Sequence, residues 1–188
     1  MSAFTSFSLW LKKKLKAEKR AKILIVGLDS AGKTTLTKYM NTGRFQDDTA
    51  PTIGQNIDTI NFDGWDITTV DVAGQQQFRF LWEVHYPGCS AAIFVIDSAD
   101  IERLPEAREI LQTHVFHNPH LAGIPTLIIA NKQDLPDAIQ APLLIQLLNL
   151  HLEMKDRTFA VFDCSALNGR GVLEAFAWLV NQLEIQKA

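Results

Sequence analysis

The apolar residues of this chain occur mostly in short continuous runs, separated by stretches whose apolar positions recur at helical spacing. Alternating apolar residues flank Asp63-Gly64, a favourable turn pair, so residues 55–72 predict a β-hairpin. Four apolar runs predict buried strands, at residues 23–26, 91–96, 124–130 and 159–162. Helical periodicity predicts four helices, over residues 34–40, 101–115, 138–152 and 172–183.

This alternation of strands and helices predicts a three-layer α/β fold, with a mostly parallel sheet and one antiparallel edge hairpin. In such folds, ligands bind at the carboxyl ends of the strands. The length of 188 residues suits one domain, expected over residues 22–188 and preceded by a basic N-terminal segment at residues 1–21.

Residues 2–18 predict an amphipathic helix with two chemically different faces. One face carries Phe4, Phe7, Leu11 and Leu15, and the other carries Lys12, Lys13, Lys14 and Lys16. Bulky apolar side chains opposite lysines are typical of a helix that lies in a membrane surface or docks in a groove. The alternatives are a helix that packs permanently on the domain and a basic N-terminal start that binds nothing. Residue 2 is serine, so N-myristoylation is not expected and any membrane contact should be reversible.

Charge is distributed unevenly along the chain, whose net charge is −3. Residues 1–22 carry a balance of +6 and the remainder carries −9. The acidic domain disfavours nucleic acid as a partner, whereas the basic segment favours an anionic surface. Cys89 and Cys164 are too few for a disulfide framework, which indicates a reducing, cytoplasmic environment without disulfides. Neither a transmembrane run nor a signal peptide is expected from the sequence.

The strongest chemical signal is G-x-x-x-x-G-K-T at residues 27–34, between a predicted strand and a predicted helix. Such loops bind phosphate groups, because glycine lets the backbone turn its N–H groups inward at a helix N-terminus that favours anions. The Lys33 ammonium is expected to reach the outer phosphates, and the Thr34 hydroxyl is expected to bind Mg²⁺. The candidate phosphate-binding residues are Asp29, Ser30, Ala31, Gly32, Lys33, Thr34 and Thr35.

A second group of candidates surrounds the predicted hairpin. Thr52 is a candidate second Mg²⁺ ligand, and Asp71 ends an apolar strand, where a carboxylate can hold Mg²⁺ through water. Gly74 permits a backbone N–H to approach a terminal phosphate closely. Gln75 is placed to orient an attacking water, so Gln75 and Lys33 are the candidate catalytic residues.

A third motif, N-K-x-D at residues 131–134, follows the predicted strand at 124–130. Asp134 can accept hydrogen bonds from both the ring N–H and the exocyclic amine of guanine, whereas adenine presents no such pair of donors. Lys132 is expected to lie along the base, Asn131 to tie loops together, and a backbone N–H after the last strand to reach the base carbonyl. The motif therefore favours GTP over ATP. The candidate base-binding residues are Asn131, Lys132, Asp134, Ser165 and Ala166.

Two other groups of side chains leave alternatives open. The aromatic residues between positions 76 and 88 are either core or a partner-binding surface that reorders with nucleotide. His114, His117 and His120 are evenly spaced, but no acidic or cysteine ligand accompanies them and Pro119 interrupts the helix. A solvated helix end is the preferred interpretation of these histidines.

The motifs GLDSAGKTT, PTIG, DVAGQ, NKQDLP and CSA, in this order, resemble those of the small GTPases of the Ras superfamily. The longer stretches PTIGQN, FLW, VIDSAD, ANKQDLP and WLVNQL are similar to the ADP-ribosylation factor (Arf/Arl) family. The resemblance covers residues 22–186, and the amphipathic segment at residues 2–18 also matches the family.

The resemblance implies the P-loop NTPase fold of small G proteins, with Mg²⁺ and GTP or GDP as ligands. It implies a monomer that hydrolyses GTP and acts with an exchange factor, a GTPase-activating protein and effectors. In the family, GTP binding shifts the register of the hairpin and expels the N-terminal helix, which implies peripheral attachment to intracellular membranes in the GTP state. The alternative is a nucleotide-loaded module that never cycles, but Gln75 favours hydrolysis.

Several positions depart from the family pattern. Ala73 replaces a glycine, and Gln55, Val70 and His85 stand where the family has aromatic residues on its effector-binding surface. Some relatives in the superfamily carry an arginine two residues before the switch threonine, and Ala50 occupies that position here. Slow intrinsic hydrolysis is therefore expected, with the arginine supplied by a partner.

Overall fold

The computed structural model describes residues 19–46, 52–152 and 157–187; the predicted helix at residues 2–18, and Ala50, lie outside them. The strands are β1 Lys19–Val26, β2 Gln55–Phe62, β3 Trp65–Val72, β4 Ala91–Asp97, β5 Thr126–Asn131 and β6 Phe159–Asp163. Within the described ranges they form a six-stranded sheet in the order β2-β3-β1-β4-β5-β6. The pair β2–β3 is antiparallel and the other neighbours are parallel, which confirms the predicted fold class and its edge hairpin.

The α-helices of the described ranges cover both faces of the sheet. They are α1 Lys33–Thr42, α2 Phe80–His85, α3 Leu104–Ile110, α4 Ala141–Leu147 and α5 Val172–Lys187. Apolar side chains of α1 and α5 form one core with the sheet, and those of α2, α3 and α4 form a second core on the opposite face. No helix in these ranges combines the length and the apolar character needed to cross a membrane.

Strand β1 is paired unequally with its two neighbours. Its register with β3 runs from Lys19↔Trp65 to Ile25↔Asp71, whereas its register with β4 covers only Ile23 to Val26. The strand begins at Lys19, three residues before the predicted start of the domain at residue 22. The first half of β1 is therefore held on the hairpin side of the sheet.

The helix predicted over residues 101–115 begins later and ends differently than expected. Ile101 precedes α3 and is 54% exposed, so the predicted helix start at residue 101 was wrong. Pro105 lies in the first turn, where its missing N–H costs no helical hydrogen bond. After α3 the chain continues as a π-helix over Leu111–Phe116.

The single helix predicted over residues 138–152 is two shorter elements, α4 and a 3₁₀ turn at Leu150–Leu152. Pro142 lies near the helix start, and Asn149 adopts a left-handed φ of 55° between the two elements. A residue in this conformation ends an α-helix, and asparagine tolerates it better than most residues.

The aromatic segment is split between the two alternatives. Trp82 and Tyr86 are buried, whereas Phe80 and Val84 are 64% and 67% exposed. The histidines divide as well: His117 and His120 are exposed, but His114 packs edge-on against Trp82 at 5.4 Å between ring centroids. The expectation of a solvated helix end was therefore wrong for His114, whose pKa is lowered by burial.

Candidate functional site

A cavity of about 340 Å³ opens where β1, β3 and β5 end, at the carboxyl edge of the sheet. Its lining comes from four stretches that are distant in sequence, and every lining residue is among the site residues predicted from sequence. The lining residues are Asp29, Ser30, Gly32, Lys33, Thr34, Thr35, Thr52, Gly74, Gln75 and Lys132.

The loop after β1 surrounds the ammonium group of Lys33. Its Nζ donates hydrogen bonds to the carbonyl oxygens of Leu28 at 2.8 Å and Gly27 at 3.1 Å. Burial lowers the pKa of Lys33 to about 8, although the carboxylates of Asp71 and Asp29 oppose this shift. An anion in the cavity would supply the countercharge that this buried ammonium lacks.

Oxygen atoms of three side chains meet beside Lys33. The Thr34 hydroxyl lies 2.7 Å from the Thr52 hydroxyl and donates a hydrogen bond to Oδ2 of Asp71 at 2.6 Å. Asp71 is fully buried, and its Oδ1 has no hydrogen-bond partner among the described residues. Burial raises the pKa of this carboxyl group. Hard oxygen donors of this kind suit Mg²⁺, so the residues fit the metal that the motifs predict.

The backbone after β3 packs directly on the loop after β1. A Cβ atom added to Gly74 would lie 2.4 Å from both the Asp29 nitrogen and the Gly27 oxygen, so no larger residue fits without displacing backbone. Gln75 follows at the cavity wall. The replacement of a family glycine by Ala73 leaves this close approach intact, because the contact is made by Gly74.

Two side chains that the sequence analysis did not assign to the site hold this segment. Trp82 donates from Nε1 to the Ala73 carbonyl at 2.9 Å, and Arg79 donates from Nε to the Gly74 carbonyl at 3.2 Å. Arg79 also pairs with Glu106 of α3 at 2.6 Å. No local motif marks these contacts, because they join side chains to backbone carbonyls through the tertiary fold.

Asn131 ties two loops together, as its position in the motif predicts. It is 2% exposed, donates from Nδ2 to the Ala31 carbonyl at 2.8 Å and accepts from the Ala166 N–H at 3.0 Å. Lys132 has a left-handed φ of 65°, and its ammonium lies 2.6 Å from Oδ2 of Asp97. Behind the cavity, Asn131 thus fixes the loops that follow β1 and β6.

Asp134 is exposed and does not line the cavity, but its Oδ1 accepts a hydrogen bond from the Ser165 hydroxyl at 2.5 Å. The backbone N–H groups expected at the base carbonyl are already engaged. That of Ser165 donates to the Arg170 carbonyl at 2.9 Å, and that of Ala166 donates to Asn131. A base carbonyl would therefore share the Ala166 N–H with Asn131.

The three departures from the family's aromatic surface have different environments. Val70 is buried in the core. Gln55 and His85 form a hydrogen-bonded pair at the surface, between Oε1 and Nε2. Burial and the neighbouring Lys22 ammonium lower the pKa of His85. A polar pair thus occupies part of the surface where an aromatic cluster is expected.

Comparison with known proteins gives consistent results. The sequence profile of the ADP-ribosylation factor family matches residues 7–183. The chain is 40% identical over 166 residues to ADP-ribosylation factor K of Dictyostelium discoideum, covering 88% of this chain and 87% of that protein. It is 37% identical over 166 residues to ADP-ribosylation factor 3 of Arabidopsis thaliana, covering 88% and 90% respectively.

Solved structures give the same result. The Arl6 (BBS3) small GTPase from Trypanosoma brucei, with the bound nucleotide analogue GppNp, superposes with a TM-score of 0.81 at 32% identity, covering 89% of this chain and 99% of that one. The mammalian SRP receptor superposes with a TM-score of 0.73 at 24% identity, covering 86% and 99%, and shows the fold alone. The chain therefore belongs to the ADP-ribosylation factor family of GTPases, which bind GTP or GDP with Mg²⁺ and hydrolyse GTP.

Proposed function

We propose that this chain is a switch that recruits effectors at a membrane surface only when GTP fills the cavity. The contact between Thr52 and Thr34, beside Asp71, carries this proposal. Thr34 belongs to the phosphate loop, whereas Thr52 leads directly into the β2–β3 hairpin. A ligand that holds both hydroxyl groups therefore also holds the hairpin in its present position.

Different residues of the cavity are proposed to bind the phosphates and the metal ion. The phosphate loop contributes its backbone N–H groups, and Lys33 contributes a positive charge close to them. Thr34 and Thr52 are the proposed direct ligands of Mg²⁺, and Asp71 would hold the metal through water. Mg²⁺ neutralises phosphate charge when bound.

The proposed hydrolytic step is an attack by water on the γ-phosphorus, which breaks the bond to the bridging oxygen of GDP. Gln75 orients that water, and the Gly74 N–H contacts the γ-phosphate. In the described part of the chain no arginine lines the cavity. Arg79 pairs with Glu106, and Arg103 with Asp100. Intrinsic hydrolysis is therefore slow, and a GTPase-activating protein supplies the arginine.

Guanine is the proposed base because the Asp134 carboxylate can accept hydrogen bonds from both the ring N–H and the exocyclic amine of this base. Ser165 holds one carboxylate oxygen and leaves the other side of the group for the base. The Lys132 stem would lie along the ring, and Asn131 keeps the surrounding loops in place. Ala166 supplies the N–H for the base carbonyl.

Single-turnover GTP hydrolysis tests the role of Gln75. Gln75→Leu is expected to lower the rate constant by about tenfold or more, because it removes the group that orients the water. Gln76→Leu is the matched control, since Gln76 is an exposed neighbour of the same type. Equal rate constants for the two variants, with unchanged GDP affinity, would remove Gln75 from the mechanism.

Sedimentation with anionic liposomes tests the membrane switch. The full chain is loaded with GDP or with a non-hydrolysable GTP analogue and compared with a chain that lacks residues 2–18. Binding is expected only with the N-terminal segment, because residues 1–22 carry a balance of +6. It is expected only in the GTP form, because the proposed switch acts at a membrane only when GTP fills the cavity. Equal binding in both nucleotide states would show that the nucleotide does not control attachment.

A further inference from the structure

The segment from Ala73 to Gln75 is held on one side by two side-chain donors that follow it in sequence. Trp82 Nε1 lies 2.9 Å from the Ala73 carbonyl, and Arg79 Nε lies 3.2 Å from the Gly74 carbonyl. Trp82 is fully buried, and the Arg79 side chain is only 14% exposed. Both hydrogen bonds are therefore shielded from competing water.

Each of these hydrogen bonds also fixes an N–H group. In a planar trans peptide the C=O and N–H groups point in opposite directions, and the described residues contain no cis peptide. The bond to the Ala73 carbonyl therefore directs the Gly74 N–H away from Trp82. In the same way, the bond to the Gly74 carbonyl directs the Gln75 N–H away from Arg79. Gly74 and Gln75 both line the cavity.

The other sides of the segment are already blocked. The Gly74 α-carbon packs on the phosphate loop so closely that an added Cβ would lie 2.4 Å from backbone atoms of Gly27 and Asp29. The Ala73 N–H donates to the Gly54 carbonyl at 2.9 Å. The segment cannot slide, so rotation of its peptide planes is the remaining freedom, and Arg79 and Trp82 oppose that rotation.

Arg79 is itself fixed by a third element. Its Nη2 lies 2.6 Å from Oε1 of Glu106, in the first turn of α3. Helix α3 is anchored in the core by Leu104 and Ala107. We infer that Arg79 and Trp82 are positioning residues that aim the Gly74 and Gln75 N–H groups at the γ-phosphate, and that Glu106 holds Arg79 for this task. The inference rests on the proposed function, since it requires GTP in the cavity.

The ratio of affinities for GppNHp and GDP measures this positioning, because only the triphosphate analogue has a group at the γ position. Arg79→Gln is expected to lower the ratio about tenfold, since a charge-assisted hydrogen bond is lost. Affinity for GDP should not change. Glu106→Gln lowers the ratio by a smaller factor, and Arg79→Lys restores part of it, because lysine still donates to the Gly74 carbonyl.

Arg157→Gln is the matched control. Arg157 also donates to backbone carbonyls, those of Leu121 and Phe116, but far from the cavity. This variant is expected to leave the ratio unchanged even if it lowers the unfolding temperature. Trp82→Phe supplies a second measurement on the loop, since it removes the indole N–H that fixes Gly74, and the ratio is again expected to fall.

The outcomes separate this inference from the proposed function. An unchanged ratio in both Arg79→Gln and Glu106→Gln overturns the inference, as does an equal loss of affinity for both nucleotides. If Arg79→Gln does not fold, the nearly isosteric Glu106→Gln decides. Thr52→Ala tests the proposed site separately. If the ratio falls in Thr52→Ala but not in Arg79→Gln, the inference is overturned and the proposed site stands. An unchanged ratio in Thr52→Ala overturns the proposed site.

Discussion

Removal of the Asn131 side chain tests whether one amide group holds two loops of the nucleotide site together. The Asn131→Ala variant leaves the Ala31 carbonyl and the Ala166 N–H without their partner. Both groups lie where Asn131 is only 2% exposed, so water replaces the amide poorly. The variant is therefore expected to lose stability as well as nucleotide affinity.

The expected loss of stability follows from the two buried polar groups that lose their hydrogen-bond partner. An unsatisfied buried polar group costs about 1–3 kcal/mol, so two together cost about 2–6 kcal/mol. For a chain of this length, about 1 kcal/mol shifts the unfolding temperature by about 2–4 °C. A loss near the lower middle of the range, about 3 kcal/mol, corresponds to a decrease of about 6–12 °C.

The assay is thermal unfolding followed by circular dichroism, with the protein stripped of nucleotide and again with saturating Mg²⁺ and GDP. Asn118→Ala is the matched control, because Asn118 accepts one hydrogen bond, from the His120 N–H at 2.9 Å, at an exposed site. Solvent can replace that bond, so the free energy of unfolding is expected to fall by about 1 kcal/mol or less. Equal unfolding temperatures for the two variants would refute the argument.

Three further outcomes are expected. Because burial lowers the pKa of Lys33 to about 8, the unfolded chain binds more protons than the folded one above that pH, so the nucleotide-free protein should gain stability between about pH 8 and pH 10. GDP affinity should fall by up to about tenfold per pH unit in the same window, and Lys33→Arg should flatten both profiles. Because burial raises the pKa of Asp71, Asp71→Asn should raise the unfolding temperature of the metal-free protein by about 2–4 °C and weaken Mg²⁺-dependent GTP binding; a lower temperature would contradict this reasoning. Ser165→Ala removes the hydroxyl that holds Asp134 and should weaken GTP and GDP equally, by about three- to tenfold in equilibrium titrations, so a selective loss of GTP would count against a role at the base.

The sequence predicts those parts of the fold that depend on local pattern. The glycines that bound α1 illustrate this: Gly32 and Gly43 adopt left-handed φ values of 88° and 67°, and the helix begins and ends between them. Each motif also comes to the carboxyl edge of the sheet, as parallel β/α topology requires. Thr34 and Thr52 also meet at this edge, although most of α1 and the loop after it separate them in sequence, because the antiparallel strand β2 begins beside the end of β3.

The features that the sequence does not predict depend on tertiary packing. Nothing in a local window distinguishes the buried Trp82 from the exposed Phe80. The pairing of Arg79, the residue before α2, with Glu106 of α3 joins two parts of the chain that meet only in the folded protein. The sequence around His114 indicates a solvated helix end, but in the π-helix this side chain packs against Trp82. The helix end predicted at residue 152 was also wrong, because Asn149 adopts a left-handed conformation after α4.

The unequal pairing of β1 determines how a displacement at its N-terminal end spreads through the molecule. From Lys19 to Lys22 the strand has a register partner in β3 but none in β4. The ammonium of Lys22 and its carbonyl contact the segment between α2 and β4, through Pro87 and Ser90. A displacement of Lys19 would strain the hydrogen bonds between β1 and β3 before it reached those between β1 and β4. The hairpin, together with helix α5, to which Lys19 is bound through Glu184, would therefore be displaced before β4 and the strands beyond it.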